Sequence, residues 1–410
     1  MFKKLILASC LSFLFILLFP QQGLALANKL SGRILLSVEE NGEAWYVNPE
    51  DRRRYYLGRP DDAFEIMRSF GLGIKNYDLE QIAQSNMPVS GNLDLASRLA
   101  GRIVLQVERN GEAWYINPVD LKRYYLGRPD DAFEVMRNLG LGISRENLAR
   151  IHKPELFESL NDYSYYEHRK IIVDGKNYNL DLVEIDLKNP NLRIMTKTAD
   201  SIPCQGTCQA RSLASYIFSN NAFAGLVGSY FCTGPSCGGV NYYFFPVYNS
   251  KSKEFINEDE LKYWTTGPLI AFDHKNRFYY FKDSREFKSQ EYFENKYQVE
   301  LQALISNKPR ILENKMNVLI DWEVDYRQMD SRQRRNAIAY IEDEKEAGKG
   351  KLYLVSVSPV SIDELVRVLQ FLEFDYALNI DGGHSSALFY NDEYMVGPGR
   401  DIPNAIIFIE

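Results

Sequence analysis

One short run near the end of the chain, residues 379–390 (NIDGGHSSALFY), combines the residue types that most often do chemistry. Its centre, Gly-His-Ser-Ser-Ala, has the spacing of the Gly-x-Ser-x-Gly turn that exposes a nucleophilic serine in hydrolases. Ser385 would be that nucleophile, whereas Asp381, Gly382 and Gly383 directly precede it. The first question is therefore whether the serine or the acidic glycine loop carries the chemistry.

A serine nucleophile of this kind needs a helix directly after it, with an acid and then a histidine further along the chain. The residues that follow, ALFYNDEYMVGPG, predict a strand and a turn instead. His384 is the last of four histidines, and an imidazole beside the serine on the same turn is poorly placed to take its proton. The sequence therefore argues against Ser385 as a nucleophile.

Two glycines after an aspartate suit a different task. Gly382 and Gly383 would let the backbone approach a ligand closely and direct several N–H groups at one anion. The hydroxyls of Ser385 and Ser386 would extend such a pocket. Asp381 is then a carboxylate beside an anion-binding loop, and a tight turn capped by the aspartate is the structural alternative.

The elements that must position this loop are predicted by short periodic segments. NAIAYIE and KLYLVSVSP predict strands, and YALNI predicts a buried strand that ends at Asp381. The spacing of Ser361 and Glu364 predicts a capping box that opens a helix. Further upstream, RKIIVDGKNYNLDLVEIDL predicts a hairpin that turns at Asp174 and Gly175. The C-terminal part is therefore expected to have an α+β fold.

Several of these segments together resemble the phosphodiester glycosidase family, which includes the lysosomal uncovering enzyme that removes N-acetylglucosamine from phosphodiester-linked glycans. ALNIDGGHSSALFY is similar to its Asn-Leu-Asp-Gly-Gly-Gly-Ser-Ser signature, and RNAIAYIE to Arg-Thr-Ala-Ile-Gly. AFAGLVGSYF, TTGPLIAFDHKNRF and IPNAIIFI are similar to three further family segments, in the family's order. Val227 and His384 depart from the pattern, because the family has asparagine and glycine there.

The resemblance implies hydrolysis of a sugar-1-phosphodiester at the anomeric C–O bond, by a mixed-sheet α+β domain over residues 166–410. This chemistry needs a clamp for the phosphate and a carboxylate that stabilises or attacks an oxocarbenium-like centre. The implied catalytic residues are Asp381 as the carboxylate, Arg335 as the clamp and His384 as a general acid. The implied substrate contacts are Ser229, Asn379, Gly382, Gly383, Ser385 and Ser386.

Two alternatives to this catalytic set stay open at the level of sequence. The first is a non-catalytic surface protein that keeps the family fold and binds glycan, which Val227 favours and which Arg335 and Asp381 oppose. The second concerns the site itself: Asp321, Glu323 or Asp325 could supply a second carboxylate, although acids in loops are commonly solvated. No cofactor is expected; the acids permit a divalent metal, but no ligand spacing demands one.

The first third of the chain contains a duplicated segment, residues 32–74 and 101–143, at an offset of 69 residues. It predicts two small ββ(β)α modules, 28–75 and 100–144, joined to each other and to the rest by linkers 76–99 and 145–165. In each copy an Asn-Gly hairpin precedes a helix that begins at Pro60 or Pro129. The helix should end before Gly71 or Gly140, and this glycine should adopt the left-handed conformation.

The aromatic residues of the modules, such as Trp45 and Trp114, favour a role in the core, because adjacent strand residues point to opposite faces. Binding of wall glycan is the alternative for these aromatics. Attachment to a cell wall through the repeats is accordingly one expectation, alongside a phosphodiester-linked glycan or cell-wall polymer as the partner of the C-terminal domain.

The N-terminus predicts export. Lys3 and Lys4, an apolar stretch up to Phe19 and a small-x-small pattern at residues 25–27 are typical of a secretory signal that is cleaved after Ala27. An uncleaved anchor is the alternative. Loss of the signal leaves 46 basic and 55 acidic residues, a net charge of −9, which argues against nucleic acid as a partner. We therefore expect a secreted or cell-surface protein.

The cysteines agree with an oxidising compartment. Without Cys10, an even and clustered set remains, which predicts two disulfides with three possible connectivities. A four-thiolate zinc site is the alternative. The four candidates are Cys204, Cys208, Cys232 and Cys237.

Overall fold

The computed structural model describes residues 22–39, 43–57, 70–127, 129–153, 157–200, 202, 204, 206–234, 237–324 and 329–410. The chain divides into two compact units, Met1–Pro154 and Glu155–Glu410. Helices and sheets occur in both, so the α+β fold class is confirmed. None of the described helices has the length and apolar character needed to span a membrane.

The first unit contains two four-stranded sheets, ordered β3-β2-β1-β8 and β4-β5-β6-β7. Its strands are β1 (Ile34–Ser37), β2 (Ala44–Val47), β3 (Arg54–Tyr56), β4 (Leu72–Ile74), β5 (Ile103–Gln106), β6 (Ala113–Ile116), β7 (Arg123–Tyr125) and β8 (Leu141–Ile143). Its described helices are α1 (Gln22–Lys29), α2 (Asn76–Glu80), α3 (Leu93–Arg98), α4 (Pro129–Leu139) and α5 (Arg145–Ala149).

The two copies of the repeat exchange their last strands. Strand β8, from the second copy, lies parallel to β1 of the first, and β4, from the first copy, lies parallel to β5 of the second. The hydroxyl of Tyr46 donates to the carbonyl of Gly101, and that of Tyr115 donates to the carbonyl of Gly32, each at 2.7 Å. Each sheet is therefore completed by a strand from the other copy.

The segment expected to be a linker between the copies forms helices α2 and α3. Ala96 of α3 packs in one cluster with Leu79 and Val104, and Ala27 of α1 packs with Leu35 in the equivalent cluster of the other copy. The two alanines are 69 residues apart, and Ala96 is 2% and Ala27 3% exposed. The repeat thus extends upstream of the duplicated segment, and cleavage after Ala27 would divide helix α1.

One detail predicted for the repeat helix is wrong. Helix α4 begins at Pro129 and is followed by Gly140 as expected, but this glycine does not have a positive φ. A Cβ at this position would lie 2.5 Å from the carbonyl oxygen of Met136 and 2.6 Å from Cγ of Leu36 in the other copy. Close packing, and not a left-handed backbone, therefore requires the glycine. The equivalent helix at Pro60 lies outside the described residues.

The second unit contains an eight-stranded sheet, ordered β20-β19-β23-β21-β22-β11-β10-β9, and two five-stranded sheets, ordered β12-β26-β13-β24-β25 and β15-β14-β18-β16-β17. Its described α-helices are α6 (Leu213–Phe218), α7 (Gln290–Tyr297) and α8 (Ile362–Phe371). Its strands are β9 (Phe157–Asn161), β10 (Ser164–Val173), β11 (Lys176–Asp186), β12 (Arg193–Thr198), β13 (Ala224–Val227), β14 (Val247–Asn249), β15 (Glu254–Ile256), β16 (Leu269–Asp273), β17 (Phe278–Phe281), β18 (Leu301–Ser306), β19 (Arg310–Glu313), β20 (Met316–Asn317), β21 (Gln333–Ile341), β22 (Lys351–Val360), β23 (Tyr376–Ile380), β24 (Leu388–Tyr390), β25 (Glu393–Val396) and β26 (Asn404–Ile409).

Helix α8 and the eight-stranded sheet enclose the main core of this unit. Leu365 and Leu369 of the helix are fully buried with Leu180, Ala337 and Val355 of three strands. The predicted capping box is present, since the Ser361 hydroxyl accepts from the amide of Glu364 while the Glu364 carboxylate accepts from that of Ser361. Residues 174 and 175 both have a positive φ, as the predicted hairpin turn requires.

The four cysteines form two disulfides, Cys204–Cys208 and Cys232–Cys237. Asp200 lies near the first pair, and these three residues are the group that could ligate a metal within the described part of the chain. Because both sulfurs of that group are joined to each other, the structure favours the disulfide prediction over the zinc alternative. Two disulfides also fit an extracellular protein.

A chain that begins at Asn28 should be less stable in its first unit than one that begins at Gln22. The shorter chain loses Leu26 and Ala27 from the cluster around Leu35, at a cost of roughly 2 kcal/mol. Hydrogen exchange measured by mass spectrometry should show weaker protection of β1 and β2, with the second unit as the internal control. Equal protection of β1 and β2 in both chains would contradict the role given to helix α1.

Candidate active site

The loop that follows β23 runs against the beginning of β21. Gly382 has an extended backbone and Gly383 has a φ of +59°. A Cβ on Gly382 would lie 2.9 Å from the carbonyl oxygen of Arg334, and a Cβ on Gly383 would lie 2.5 Å from Oε1 of Gln333. Gly382 is therefore needed because the backbone of Arg334 lies close to it, whereas Gly383 is favoured by its positive φ, since the Gln333 side chain could move.

The structure agrees with the argument against a serine nucleophile. Residues 383–385 form a single 3-10 turn, and the chain continues into strand β24. Ser385 and Ser386 are each 4% exposed, and the hydroxyl of Ser386 accepts from Asn336 at 3.0 Å. The helix that a nucleophile turn requires does not follow Ser385.

Asp381 is the first residue of the loop and is buried. Its Oδ1 accepts a hydrogen bond from the amide of Gly382 at 2.8 Å. Burial raises the pKa of Asp381 to about 7, while hydrogen bonds from Ser385 and Gly382 and the positive charge of Arg400 act in the opposite direction. A carboxyl group with a pKa near neutral is able to give or take a proton at physiological pH.

The anion pocket expected from the two glycines is smaller than the sequence suggested. The amide of Gly382 is used by Asp381, and those of Ser385 and Ser386 donate to the carbonyls of Gly382 and Gly383 at 3.2 Å. These three amides therefore already donate hydrogen bonds within the loop and do not point at a bound anion. A bound phosphate would need cationic side chains in addition to the remaining backbone groups.

Asn336 on β21 fixes the loop from the sheet side, and sequence reasoning missed it. Its Nδ2 donates to the carbonyl oxygen of Asp381 at 2.5 Å and to the hydroxyl of Ser386. Among the described residues, its Oδ1 is buried without a hydrogen-bond partner, as are Oδ1 of Asn379 and Nδ2 of Asn404. Three unpaired amide atoms around one loop are unusual for a purely structural turn.

Arg400 is a second residue that sequence reasoning missed. Its amide donates to the carbonyl of His384 at 3.1 Å, and its charge lowers the pKa of Asp381. Within the described part of the chain, its guanidinium has no hydrogen-bond or ion-pair partner, and the residue is partly exposed. Arg400 is thus a cation placed to act on Asp381 and on an anion beside it.

Arg335, the predicted phosphate clamp, has a buried side chain that serves the backbone. Its Nε donates to the carbonyl of Val360 at 3.2 Å and its Nη2 to that of Ser331 at 3.0 Å. The residue is 7% exposed. This position favours a structural role for Arg335 over contact with a substrate.

The other predicted contacts surround Asp381 but are also engaged. The amide of Asp381 donates to the carbonyl of Gly228, directly before Ser229. The Ser229 hydroxyl donates to the carbonyl of Ser306 at 2.8 Å, and Nδ2 of Asn379 donates to the hydroxyl of Tyr230 at 2.7 Å. His384 is exposed, and Val227 is fully buried in strand β13.

The expectation that the loop acids are solvated is wrong for Glu323. Its carboxylate is 3% exposed and accepts from the guanidinium of Arg310, with Nη2 and Oε1 2.6 Å apart. This pairing assigns Glu323 to the fold at the start of β19. The side chains of Asp321 and Asp325 lie outside the described residues.

A row of polar side chains crosses the eight-stranded sheet beside the loop. His168, Asp181, Ser356 and Asn336 occupy aligned positions on β10, β11, β22 and β21. The carboxylate of Asp181 accepts from Nδ1 of His168 at 2.7 Å and from Nη1 of Arg334 at 2.7 Å. The row therefore continues, through Asn336, to the carbonyl of the predicted catalytic aspartate.

The electrostatics of this row are set by its buried carboxylate. Burial acts to raise the pKa of Asp181, but hydrogen bonds from His168, Arg334 and Tyr166 together hold it below its usual value. The hydrogen bond to Asp181 raises the pKa of His168 against the effects of burial and of the nearby charges of Arg334 and Lys170. Asp181 is thus ionised, and His168 gains a proton more readily than a free imidazole.

Two open pockets of the second unit lie away from this loop. One, of about 350 Å³, is lined by polar side chains: Glu258, Ser289, Gln290, Glu291, Glu294 and Asn295. The other, of about 450 Å³, is lined by aromatic side chains that include Tyr376, at the opposite end of β23 from Asp381. Neither pocket is lined by residues of the loop that the sequence singles out.

Substitution of Asp381 by asparagine should stabilise the fold increasingly as the pH rises. The pKa of Asp381 is about 7 in the folded chain and has its ordinary value of 3.8 in the unfolded chain. Ionisation of the native carboxyl therefore opposes folding. The gain in free energy of unfolding is absent below about pH 4 and grows between pH 4 and pH 7. It is complete above pH 7, where it reaches up to about 4 kcal/mol.

Chemical denaturation of Asp381→Asn and of the unsubstituted chain between pH 4 and 8 measures this difference. A gain that is constant with pH, or that shrinks as the pH rises, would contradict a raised pKa at this position.

Comparison with solved structures gives distant similarity. A hypothetical protein from Synechocystis is 13% identical, with a TM-score of 0.46, and the match covers 62% of this chain and 63% of that one. The zebrafish N-acetylglucosamine-1-phosphodiester alpha-N-acetylglucosaminidase catalytic domain, auto-inhibited by its pro-peptide, is 14% identical with a TM-score of 0.44, covering 62% of this chain and 84% of that one. No curated protein matches the chain.

The family comparison is more informative. Residues 239–409 match the model of the phosphodiester glycosidase family. The match spans the strands from β14 to β26, and with them Arg335, Asn336, Asp381 and Arg400. The resemblance inferred from sequence motifs is therefore confirmed, and residues 239–409 are a phosphodiester glycosidase family domain.

Proposed function

We propose that the protein is an exported hydrolase that cleaves the glycosidic bond of a sugar-1-phosphodiester in a surface or extracellular glycan. The observation that carries this proposal is the buried carboxyl of Asp381, at the end of a sheet strand in a phosphodiester glycosidase family domain. Its pKa of about 7 and the adjacent charge of Arg400 support a role in proton transfer beside an anionic substrate.

In the reaction, the bond between the anomeric carbon and the phosphate oxygen breaks, and an oxygen from water bonds to that carbon. The phosphate departs with the bonding electrons, and being a weak base it needs little protonation. The water loses a proton, which the ionised carboxylate of Asp381 accepts. The products are a free sugar and a phosphomonoester, and Asp381 therefore acts in its ionised form.

Positive charge near Asp381 serves two purposes in this scheme. Arg400 favours the ionised carboxylate before the reaction, and it attracts the negative charge that accumulates on the departing phosphate. His384, exposed on the same turn, is placed to contact the substrate more than to donate a proton to a phosphate leaving group.

Exposed aromatic side chains in the same unit support a glycan as the substrate. The rings of Trp264 and Trp322 are 4.7 Å apart, and the two residues are 46% and 56% exposed. Glu323, next to Trp322, holds Arg310 on β19, and β19 pairs with the strand that ends at Asp381. A pair of exposed indoles offers flat apolar faces to sugar rings.

Export is supported by the two disulfides and by the N-terminal pattern of charge and apolar residues. The alternative function, glycan binding without cleavage, does not need proton transfer by Asp381. The sequence feature that favours this alternative is Val227, which stands where the family has asparagine. Val227 is completely buried in β13, so its side chain does not reach a surface where it could contact a ligand. The geometry therefore favours the hydrolase.

The purified chain should release free sugar from nucleotide-sugars or from sugar-phosphodiester fragments of cell wall, and Asp381→Asn should lower kcat by at least roughly a thousandfold. Asp401→Asn, which removes an exposed carboxylate from the segment next to Arg400, is the matched control and should keep most activity. Binding of the fragments without release of sugar by the unsubstituted chain would support the lectin-like alternative.

The value of kcat/KM should rise with pH through about 7, because Asp381 acts as an ionised base and its pKa is raised to about 7. A phosphodiester does not titrate in this range, so the rise reports the enzyme. Steady-state rates between pH 5 and 9 provide the test. A rate that falls as the pH passes 7, in His168→Gln as well as in the unsubstituted chain, would instead make Asp381 a proton donor.

A further inference from the structure

Two basic side chains on the eight-stranded sheet share one enclosed carboxylate, that of Asp181. The side chain of Asp181 is 4% exposed, whereas those of His168 and Arg334 are 35% and 28% exposed. The hydroxyl of Tyr166 donates to the same carboxylate at 2.8 Å. The negative charge of this cluster is therefore buried, while both of its positive groups reach the surface.

Each cation keeps hydrogen-bond donors that Asp181 does not use. His168 is bound through Nδ1, and Arg334 through Nη1, which also donates to the hydroxyl of Ser356 at 3.2 Å. For the residues that the structure describes, Nε2 of His168 and Nε and Nη2 of Arg334 have no hydrogen-bond partner. When His168 is protonated, two cations face one carboxylate, and the cluster has an excess positive charge.

The cluster adjoins the loop through strand β21. The carbonyl oxygen of Arg334 lies 2.9 Å from where a Cβ of Gly382 would be, and Asn336, two residues further on, holds Asp381 and Ser386. Asp181 lies two strands away on β11, which corresponds to about 10 Å at the usual strand spacing. The side chain of Arg334 spans this interval.

We propose that the phosphate group of the substrate binds between Arg334 and His168, with Asp181 holding both side chains in place. This rests on the proposed function, and it assigns the phosphate contact to residues other than Arg335. The guanidinium fork and the imidazole present N–H donors that match the non-bridging oxygens of a phosphate ester. Asp181 does not touch the ligand and is a positioning residue.

Inorganic phosphate is the first probe, and imidazole NMR signals of the full chain are the readout. The sequence has four histidines, so the His168 signals can be assigned by comparison with His168→Gln. Phosphate should shift the signals of His168, and Arg334→Gln should weaken phosphate binding by about tenfold or more.

Arg332→Gln is the matched control, because it removes the same charge from the same segment. The guanidinium of Arg332 is paired with Glu364 of helix α8, and its loss should change phosphate affinity by less than about twofold. Equal losses of affinity in the two arginine variants would overturn the proposal, since that result would reflect net charge alone.

Arg334→Lys keeps the charge next to Asp181 and guards against misfolding of the glutamine variant. It should bind phosphate less tightly than the unsubstituted chain, because an ammonium lacks the planar fork. In hydrolysis, Arg334→Lys and His168→Gln should raise KM for a nucleotide-sugar more than they lower kcat. Unchanged phosphate affinity in both variants would overturn the proposal.

The outcomes also separate this inference from the proposed function. Hydrolysis that depends on Asp381 but has an unaltered KM in both cation variants would refute the phosphate site and leave the enzyme intact. Phosphate binding that depends on Arg334 and His168, in a chain that releases no sugar, would establish the site and refute the hydrolase.

Discussion

The burial of one carboxyl group, that of Asp381, is the constraint on which the site depends. The amide of Asp381 donates to Gly228 of the neighbouring sheet, and its carbonyl accepts from Asn336 of the adjacent strand. The group is thereby fixed where β23 ends, away from water, and its ionisation is opposed. The nearby positive charge of Arg400 matters because it counteracts this cost.

Much of the fold around the site could be predicted because local signals were strong. The capping box at Ser361, the strand before Asp381 and the turn at Asp174 and Gly175 are set by neighbouring residues in the chain, and the structure contains all three. That turn also determines strand register. Counting outward from it places His168 opposite Asp181, so the cluster was implicit in a hairpin that the sequence already revealed.

Other features could not be predicted, because they depend on contacts between distant segments. The sequence around Arg335 does not indicate that its guanidinium donates hydrogen bonds to the carbonyls of Val360 and Ser331. The sequence around Arg400 does not indicate that its charge acts on Asp381. The repeats show the same limit. Their similarity was plain from sequence, but the exchange of strands between copies arises only when two distant segments pack, with Gly140 needed for that contact.

A direct titration of Asp381 tests the central claim, that this carboxyl is buried and ionises near neutral pH. The ¹³C signal of its carboxyl carbon, identified by its loss in Asp381→Asn, can be followed with pH in the full chain. The account predicts a midpoint near 7. A midpoint near the ordinary value of about 4 would show that the group is solvated, and would contradict the account of how the site acts.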